Sequence, residues 1–490
     1  MPGPALVIGA GPAGLAAAYE LGRGGLGPVV VEQGGNVGGL SRTEVAGGCR
    51  IDIGGHRFYT KIQSVQQAWQ QMLGDDFLTV DRLSRIFYRG QFFRYPLELP
   101  DTIRKLGLVQ SMLVVLSYLR AKLPPAGPQV TFEQWVTNRF GRRLFELFFK
   151  AYTEKVWGIP CNVLQADWAA QRIGGLSLAS AVREALVGRL FDKKGLRTLA
   201  DQFHYPRLGP GMMWERYGQE VVRSGGQVWL GSEVVQLDHD GRRIFQVHVR
   251  KTDRGRGSAE MERREGSNPQ RPMPVEHVIS SMPLAELISR LRPSPPQDVL
   301  AAAAGLHHRS FLLVSVIVNR REISADNWLY IHEPAVGVGR IQNYKNWSSQ
   351  MVDDPEKTCL GMEYFCNHGD SLWTMPDAQL QALAQRELCT LGLAKPDEIQ
   401  PGIVLRERYA YPVYDSHYRA HLDVLRRFLA TLENLQVIGR SGMHRYNNQD
   451  HSMLTGMLAA RNILSTQPGQ RHDVWAVNTE SSYGEGNGAQ

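Results

Sequence analysis

Two periodicities alternate along this chain, and the changes between them mark its elements. Ala5–Ile8 is an apolar run of strand length, Leu15–Leu21 repeats at helical spacing, and Val29–Val31 is a second buried strand. Residues 83–99 alternate aromatic and polar side chains around Arg89-Gly90, which predicts a hairpin. Helical periodicity returns over Phe132–Tyr152 and again after Gly211. A Gly225-Gly226 turn and a strand follow, then a hairpin formed by Val234–Asp238 and Phe245–Val249. Val275–Ser281, Phe311–Val318 and Gln436–Arg440 read as strands, and Met453–Leu464 as the last helix. Strands and helices in this order predict an α/β fold, with a Rossmann-like domain and an intergrown α+β domain.

Two stretches depart from that pattern. Leu106–Leu119 is apolar almost throughout, with Arg104, Lys105, Arg120 and Lys122 at its ends. Its fourteen residues fall short of the roughly 20 needed to span a bilayer. We expect a buried helix there, with an interfacial, lipid-contacting helix as the alternative. Arg250–Arg271 mixes seven basic and four acidic residues with Gly, Ser and Pro, as a solvated loop does. Beyond Gln467 the polar, glycine-rich composition predicts disorder, with residues 471–490 as a flexible tail.

The chemistry is densest in the first forty residues. Gly9, Gly11 and Gly14 stand in G-x-G-x-x-G spacing between the first strand and its helix. They permit a tight turn, close approach to a pyrophosphate, and close helix–strand packing. The helix N-terminus offers unpaired N–H groups to phosphate. Glu32, at the end of the second strand, is placed to accept ribose hydroxyls. A second pair, Gly38-Gly39, followed by Arg42, resembles the G-G-x-x-[RS] element of flavoproteins related to glutathione reductase and the amine oxidases. That likeness implies FAD. No second G-x-G-x-x-G follows a strand, so a built-in nicotinamide domain is not expected. The FAD-binding domain is expected to be assembled from residues 1–60, 195–285 and 405–470. A substrate domain takes 61–194 and 286–404.

Bulk properties narrow the partners. The net charge of +7 suits anionic ligands such as diphosphates, but no basic-aromatic motif points to nucleic acid. Five cysteines without a C-x-x-C pair argue against structural zinc or a disulfide framework, and no metal site is expected. With the first strand starting at Ala5 there is no room for a leader, so a cytoplasmic home is expected.

Further motifs resemble flavoproteins of the amine oxidase and protoporphyrinogen oxidase superfamily, and within it the UDP-galactopyranose mutases. Gly55-His56-x-Phe58 resembles the mutase histidine loop against the flavin ring. Tyr152-x-x-x-x-Trp157-Gly158 resembles an element walling the nucleotide-sugar pocket. Arg172 lies one position beyond an arginine that grips the substrate diphosphate, and Arg340-Ile341 with Lys345 resembles the strand supplying a second. Glu363-Tyr364 resembles a pair that precedes a substrate tyrosine. Gly439-Arg440-x-Gly442-x-x-Arg445-Tyr446 resembles the flavin-side motif, with Tyr446 reaching the substrate and Asn447 beside it. Val235 is placed with the cofactor contacts. Glu98 stands where the mutases carry an amide, and His444 where they tend to carry tyrosine.

The resemblance implies flavin-N5 chemistry on a nucleotide-activated sugar. In it His56 tunes the flavin, Glu98 and Tyr446 position sugar hydroxyls, and two arginines clamp a diphosphate. The expected partners are then an external reductant that maintains the flavin and a second copy of the chain in a homodimer. The alternative is an oxidoreductase acting on a sugar, amine or lipid-linked compound, with O2 or another acceptor.

Overall fold

The computed structural model describes residues 4–95, 97, 99–123, 129–166, 202–252, 271–465 and 471–479. Arg172, Glu98 and most of the charged loop lie outside them.

The chain's first strand occupies the middle of a five-stranded parallel sheet. Its order is Leu435–Val437, His277–Ser280, Ala5–Ile8, Val29–Val31 and Gln227–Trp229. The strands are apolar on both faces because helices cover both. The helices Pro12–Arg23, Gly211–Arg223 and Gln449–Leu464 share one core with Val7, Val30 and Ile279. Gly456 makes the contact between two of them: a Cβ there would stand 2.1 Å from the Ala13 carbonyl oxygen.

A seven-stranded sheet forms the other half. It runs Ile399–Pro412, His308–Val318, Thr358–Cys366, Arg340–Asn343, Trp328–Ile331, Ser84–Tyr88 and Gln91–Arg94. The hairpin expected at Arg89-Gly90 is its edge, with Arg89 at φ 50° and Gly90 at φ 72°. Strand Ile399–Pro412 pairs with His308–Val318 to its last residue. The expected boundary at 404–405 therefore falls inside a strand of this sheet rather than at a linker. Helices over Phe132–Trp157, with a π turn at Phe145–Phe149, contribute Val136, Phe145, Phe148 and Trp157 to the core beneath it.

Two expectations are corrected here. The apolar helix spans Leu108–Ala121 and none of its residues is buried. Residues 471–479, expected within a disordered region, are ordered against the body of the protein. Arg445 Nη1 donates to the carbonyls of Trp475 and Val477, each at 2.6 Å. Composition reads polarity, and it cannot show that a guanidinium elsewhere binds the backbone of a polar segment.

Candidate active site

A cavity of about 1410 Å³ runs from the glycine turn of the parallel sheet to the face of the seven-stranded sheet. Its two ends are built differently.

At the first end the backbone is the binding surface. Gly9 takes φ 98°, and a Cβ on it would meet Ser281 Oγ at 2.2 Å. A Cβ on Gly14 would meet the Gly9 carbonyl oxygen at 1.9 Å. A Cβ on Gly39 would stand 3.2 Å from the Gly11 Cα, so the two phosphate-type glycines face each other with nothing but backbone between them. The helix Pro12–Arg23 begins there with no side-chain cap, leaving its N–H groups for an anion. Glu32 accepts from the backbone N–H of Ala10 at 2.8 Å and of Gly34 at 2.7 Å, which fixes its carboxylate at the rim. These residues fit a dinucleotide: glycines where a Cβ would fill the cradle, bare helical amides, and a held carboxylate.

The middle of the cavity is closed by three loops. Arg42 ties the Gly38-Gly39 turn to the opposite sheet, donating to the Gly39 carbonyl at 2.9 Å and to Glu407 at 2.5 Å. Gly55 has no alternative, since a Cβ would lie 1.3 Å from the Trp328 ring. Beside it, His56 Nδ1 donates to the Gly54 carbonyl at 3.0 Å, which leaves Nε2 as the acceptor. Burial, with Arg440 and Arg340 nearby, lowers the His56 pKa to about 3, so the ring is neutral. Helix Gln449–Leu464 opens into the same space with no side-chain cap. Its Gln449 Nε2 donates to the His56 carbonyl at 3.2 Å, and among the described residues the buried Gln449 Oε1 has no partner. Such an N-terminus favours negative charge on a ring system lying over it.

The far end is built from side chains. Arg340 pairs with Glu363 at 2.5 Å and donates from Nη2 to the Tyr411 hydroxyl at 2.7 Å. Among the described residues no hydrogen-bond partner reaches Nη1. Burial raises the Glu363 pKa and the Arg340 charge opposes that rise. Burial also pushes the Tyr411 hydroxyl up to about 12, so it stays protonated. Tyr411 and Tyr446 lie nearly parallel, 5.7 Å apart, with the Arg440 guanidinium 4.7 Å over Tyr446. Arg440 is held by the carbonyls of Asn447 and Ala410, and among the described residues no carboxylate pairs with it. Tyr152 stacks on His332 at 4.8 Å and meets Tyr330 edge-on at 5.6 Å.

Of the residues expected at the site, Gly9, Gly11, Glu32, Gly39, Arg42, Gly55, His56, Tyr152, Arg340, Gly439, Arg440, Tyr446 and Asn447 line the cavity. Gly14 and Gly38 stand just behind the lining. Three others do not line it. Tyr364 points to the opposite face of the sheet and donates to Glu387 at 3.0 Å; strand alternation brings Glu363 to Arg340 instead. Trp157 is buried behind Tyr411 and Tyr446, 6.1 Å from each ring. Val235 sits in a bulge between Val234 and Gln236, so Val234 lines the cavity in its place. Tyr411, Trp328, Ser281 and Asn478 line it without having been expected. The alternation Tyr409-Ala410-Tyr411 carried a signal for the first; Asn478, donating to Asn447 Oδ1 at 3.0 Å, carried none.

The chain belongs to the flavin-containing amine oxidoreductases, whose family model matches residues 12–464. It is a flavoenzyme and its cofactor is FAD. Among solved structures it is similar in fold to reduced UDP-galactopyranose mutase, with a TM-score of 0.79 at 20% identity over 95% of each chain. It is also similar to a protein from Exiguobacterium sp. 255-15 assigned as a protoporphyrinogen oxidase (TM-score 0.70, 16% identity, 95% of this chain and 99% of that one). A third is putrescine oxidase bound to putrescine (TM-score 0.58, 18% identity, the same coverage).

Proposed function

We propose that this flavoenzyme acts on a nucleotide-activated sugar, by redox-neutral chemistry of the kind that interconverts ring forms. The observation that supports this most is the cation content of the cavity wall among the tyrosines. Among the described residues Arg440 lacks a carboxylate partner and Arg340 Nη1 lacks a hydrogen-bond partner. A protonated amine would be repelled there, whereas a diphosphate would accept directional N–H bonds. Because Glu363 offsets the charge of Arg340, that bond rests on geometry more than on net charge.

FAD, when bound, supplies a nucleophilic or hydride-accepting N5. The chain's own residues do the rest. Gly9, Gly11 and Gly39 admit the pyrophosphate, and Glu32 orients the ribose. Neutral His56 offers an acceptor and carries no charge that would draw electrons toward the ring. The uncapped N-terminus of Gln449–Leu464 favours the anionic reduced state. Tyr152 and Tyr411, kept protonated by burial, together with Tyr446, donate to sugar hydroxyls or to the leaving phosphate oxygen.

A second reading, net oxidation of the substrate, draws on the family's oxidoreductase members and on the stacked aromatic wall that Tyr411 and Tyr446 present to the cavity. Anaerobic mixing separates the two. A ring-form isomerase converts UDP-sugars only with pre-reduced flavin and leaves the spectrum reduced. An oxidoreductase bleaches oxidised flavin when its substrate is added, and that outcome with no isomerised sugar sinks the first reading.

A further inference from the structure

The helix Leu108–Ala121 is amphipathic in the wrong sense for a surface helix. Its polar residues face the protein: Gln110 Oε1 accepts from Arg143 at 2.7 Å, and Ser117 Oγ from the Arg143 backbone N–H at 3.0 Å. Gly141 allows this approach, since a Cβ there would stand 2.8 Å from the Ser117 backbone. Val114 packs against the core, and the other large apolar residues face outward. Leu108 is 82% exposed and Val109 66%; Met112, Leu116 and Leu119 each exceed half, and Val115 stands at 50%. Leu123 continues the patch at 66%. A helix ordinarily turns its apolar stripe to the core, and contiguous exposure on this scale marks a binding surface.

Charge decides what covers it. Between Asp101 and Glu133 the sequence holds no acid and four basic residues, two at each end of the helix. Lys105 pairs with Asp101 at 2.5 Å, while Arg104, Arg120 and Lys122 are exposed, Lys122 lying 4.7 Å over the Tyr118 ring. A second copy packed antiparallel about a two-fold axis would set basic end against basic end. An apolar face with cations at both ends matches instead the acyl–headgroup boundary of an anionic bilayer, cations at headgroup level. Fourteen residues make about 21 Å of helix, short of the roughly 30 Å hydrocarbon core. No described helix is long and apolar enough to cross a membrane.

We propose that Leu108–Ala121 lies in the headgroup plane and docks this flavoenzyme on anionic lipid. Flotation of the FAD-loaded full chain tests it, using phosphatidylcholine vesicles with and without phosphatidylglycerol. We expect co-flotation with the anionic vesicles, roughly tenfold above the neutral ones, and loss of it at high salt. Leu108→Glu/Met112→Glu/Leu116→Glu and, separately, Arg104→Glu/Lys122→Glu should keep the flavin spectrum and melting temperature. Each should lower the bound fraction roughly tenfold. Failure of the wild type to float with either vesicle overturns the proposal, as does equal binding to both, or binding that survives the triple substitution. A dimer by light scattering that the triple substitution dissociates, without flotation, would assign the face to a second copy and overturn it too.

Discussion

The two ends of the cavity bind by different means. At the cofactor end backbone does the work: glycines without a Cβ, uncapped helix termini, a carboxylate held by two amides. At the far end, buried side chains from separate strands do it: Arg340, Glu363, Tyr411 and, from the loop after Arg440, Tyr446. A backbone site tolerates no added atom and has few alternatives. A side-chain site can be re-specified residue by residue while the sheet beneath it stays intact. That contrast fits a family whose members share the cofactor and differ in what they act on.

The largest effect should come from adding atoms at the first end. Gly14→Val places a side chain into the Gly9 carbonyl, 1.9 Å from where its Cβ begins, and should leave the chain insoluble or colourless. A soluble, yellow variant would break the contrast at once. Removing the carboxylate behind Arg340 comes next. Glu363→Ala leaves a buried guanidinium uncompensated and should cost about 3–5 kcal/mol in urea unfolding. FAD content at low denaturant should hardly change.

The boundary between the ends can be probed by pH. Asp52 is fully buried, and burial raises its pKa to about 7 against the bonds from Tyr205 and Thr43. The folded state therefore holds a proton that the unfolded state has lost. Stability should fall as pH rises from about 4 to 7 and level off above, by on the order of 2–4 kcal/mol. Asp52→Asn should flatten that slope, and a slope unchanged in the variant would assign it to other groups. Arg340→Lys keeps the charge and loses the fork. We expect kcat/KM to drop about a hundredfold with FAD retained, by steady-state assay on whichever sugar nucleotide the anaerobic screen identifies. The smallest effect is Tyr446→Phe, with kcat/KM lower by about three- to tenfold and the ring stack on Tyr411 preserved.

The same contrast explains what the sequence could show. Glycine spacing is a backbone property written locally, so Gly9, Gly11, Gly39 and Glu32 were legible before any fold was known. Most strands and helices were found because their periodicity is local too. Arg340 and Tyr446 were reachable only through motif resemblance, because nothing in their neighbourhood says that strands far apart in sequence meet. Neighbours in a strand face opposite sides of the sheet, so the Glu363-Tyr364 motif does not itself say that Glu363 meets Arg340 while Tyr364 meets Glu387. Val235 failed for a similar reason, a bulge that periodicity does not announce. The helix Leu108–Ala121 failed differently. Hydrophobicity gives the apolar content of a segment but does not say which side of it the protein will use.

Arg445 grips the backbone at Trp475 and Val477, and Asn478 then reaches Asn447 at the cavity wall. A shortened expression version stopping before residue 471 would therefore strip two hydrogen-bond acceptors from a half-buried cation and a donor from the pocket lining. An affinity tag joined directly after Asn478 would begin at the cavity wall itself.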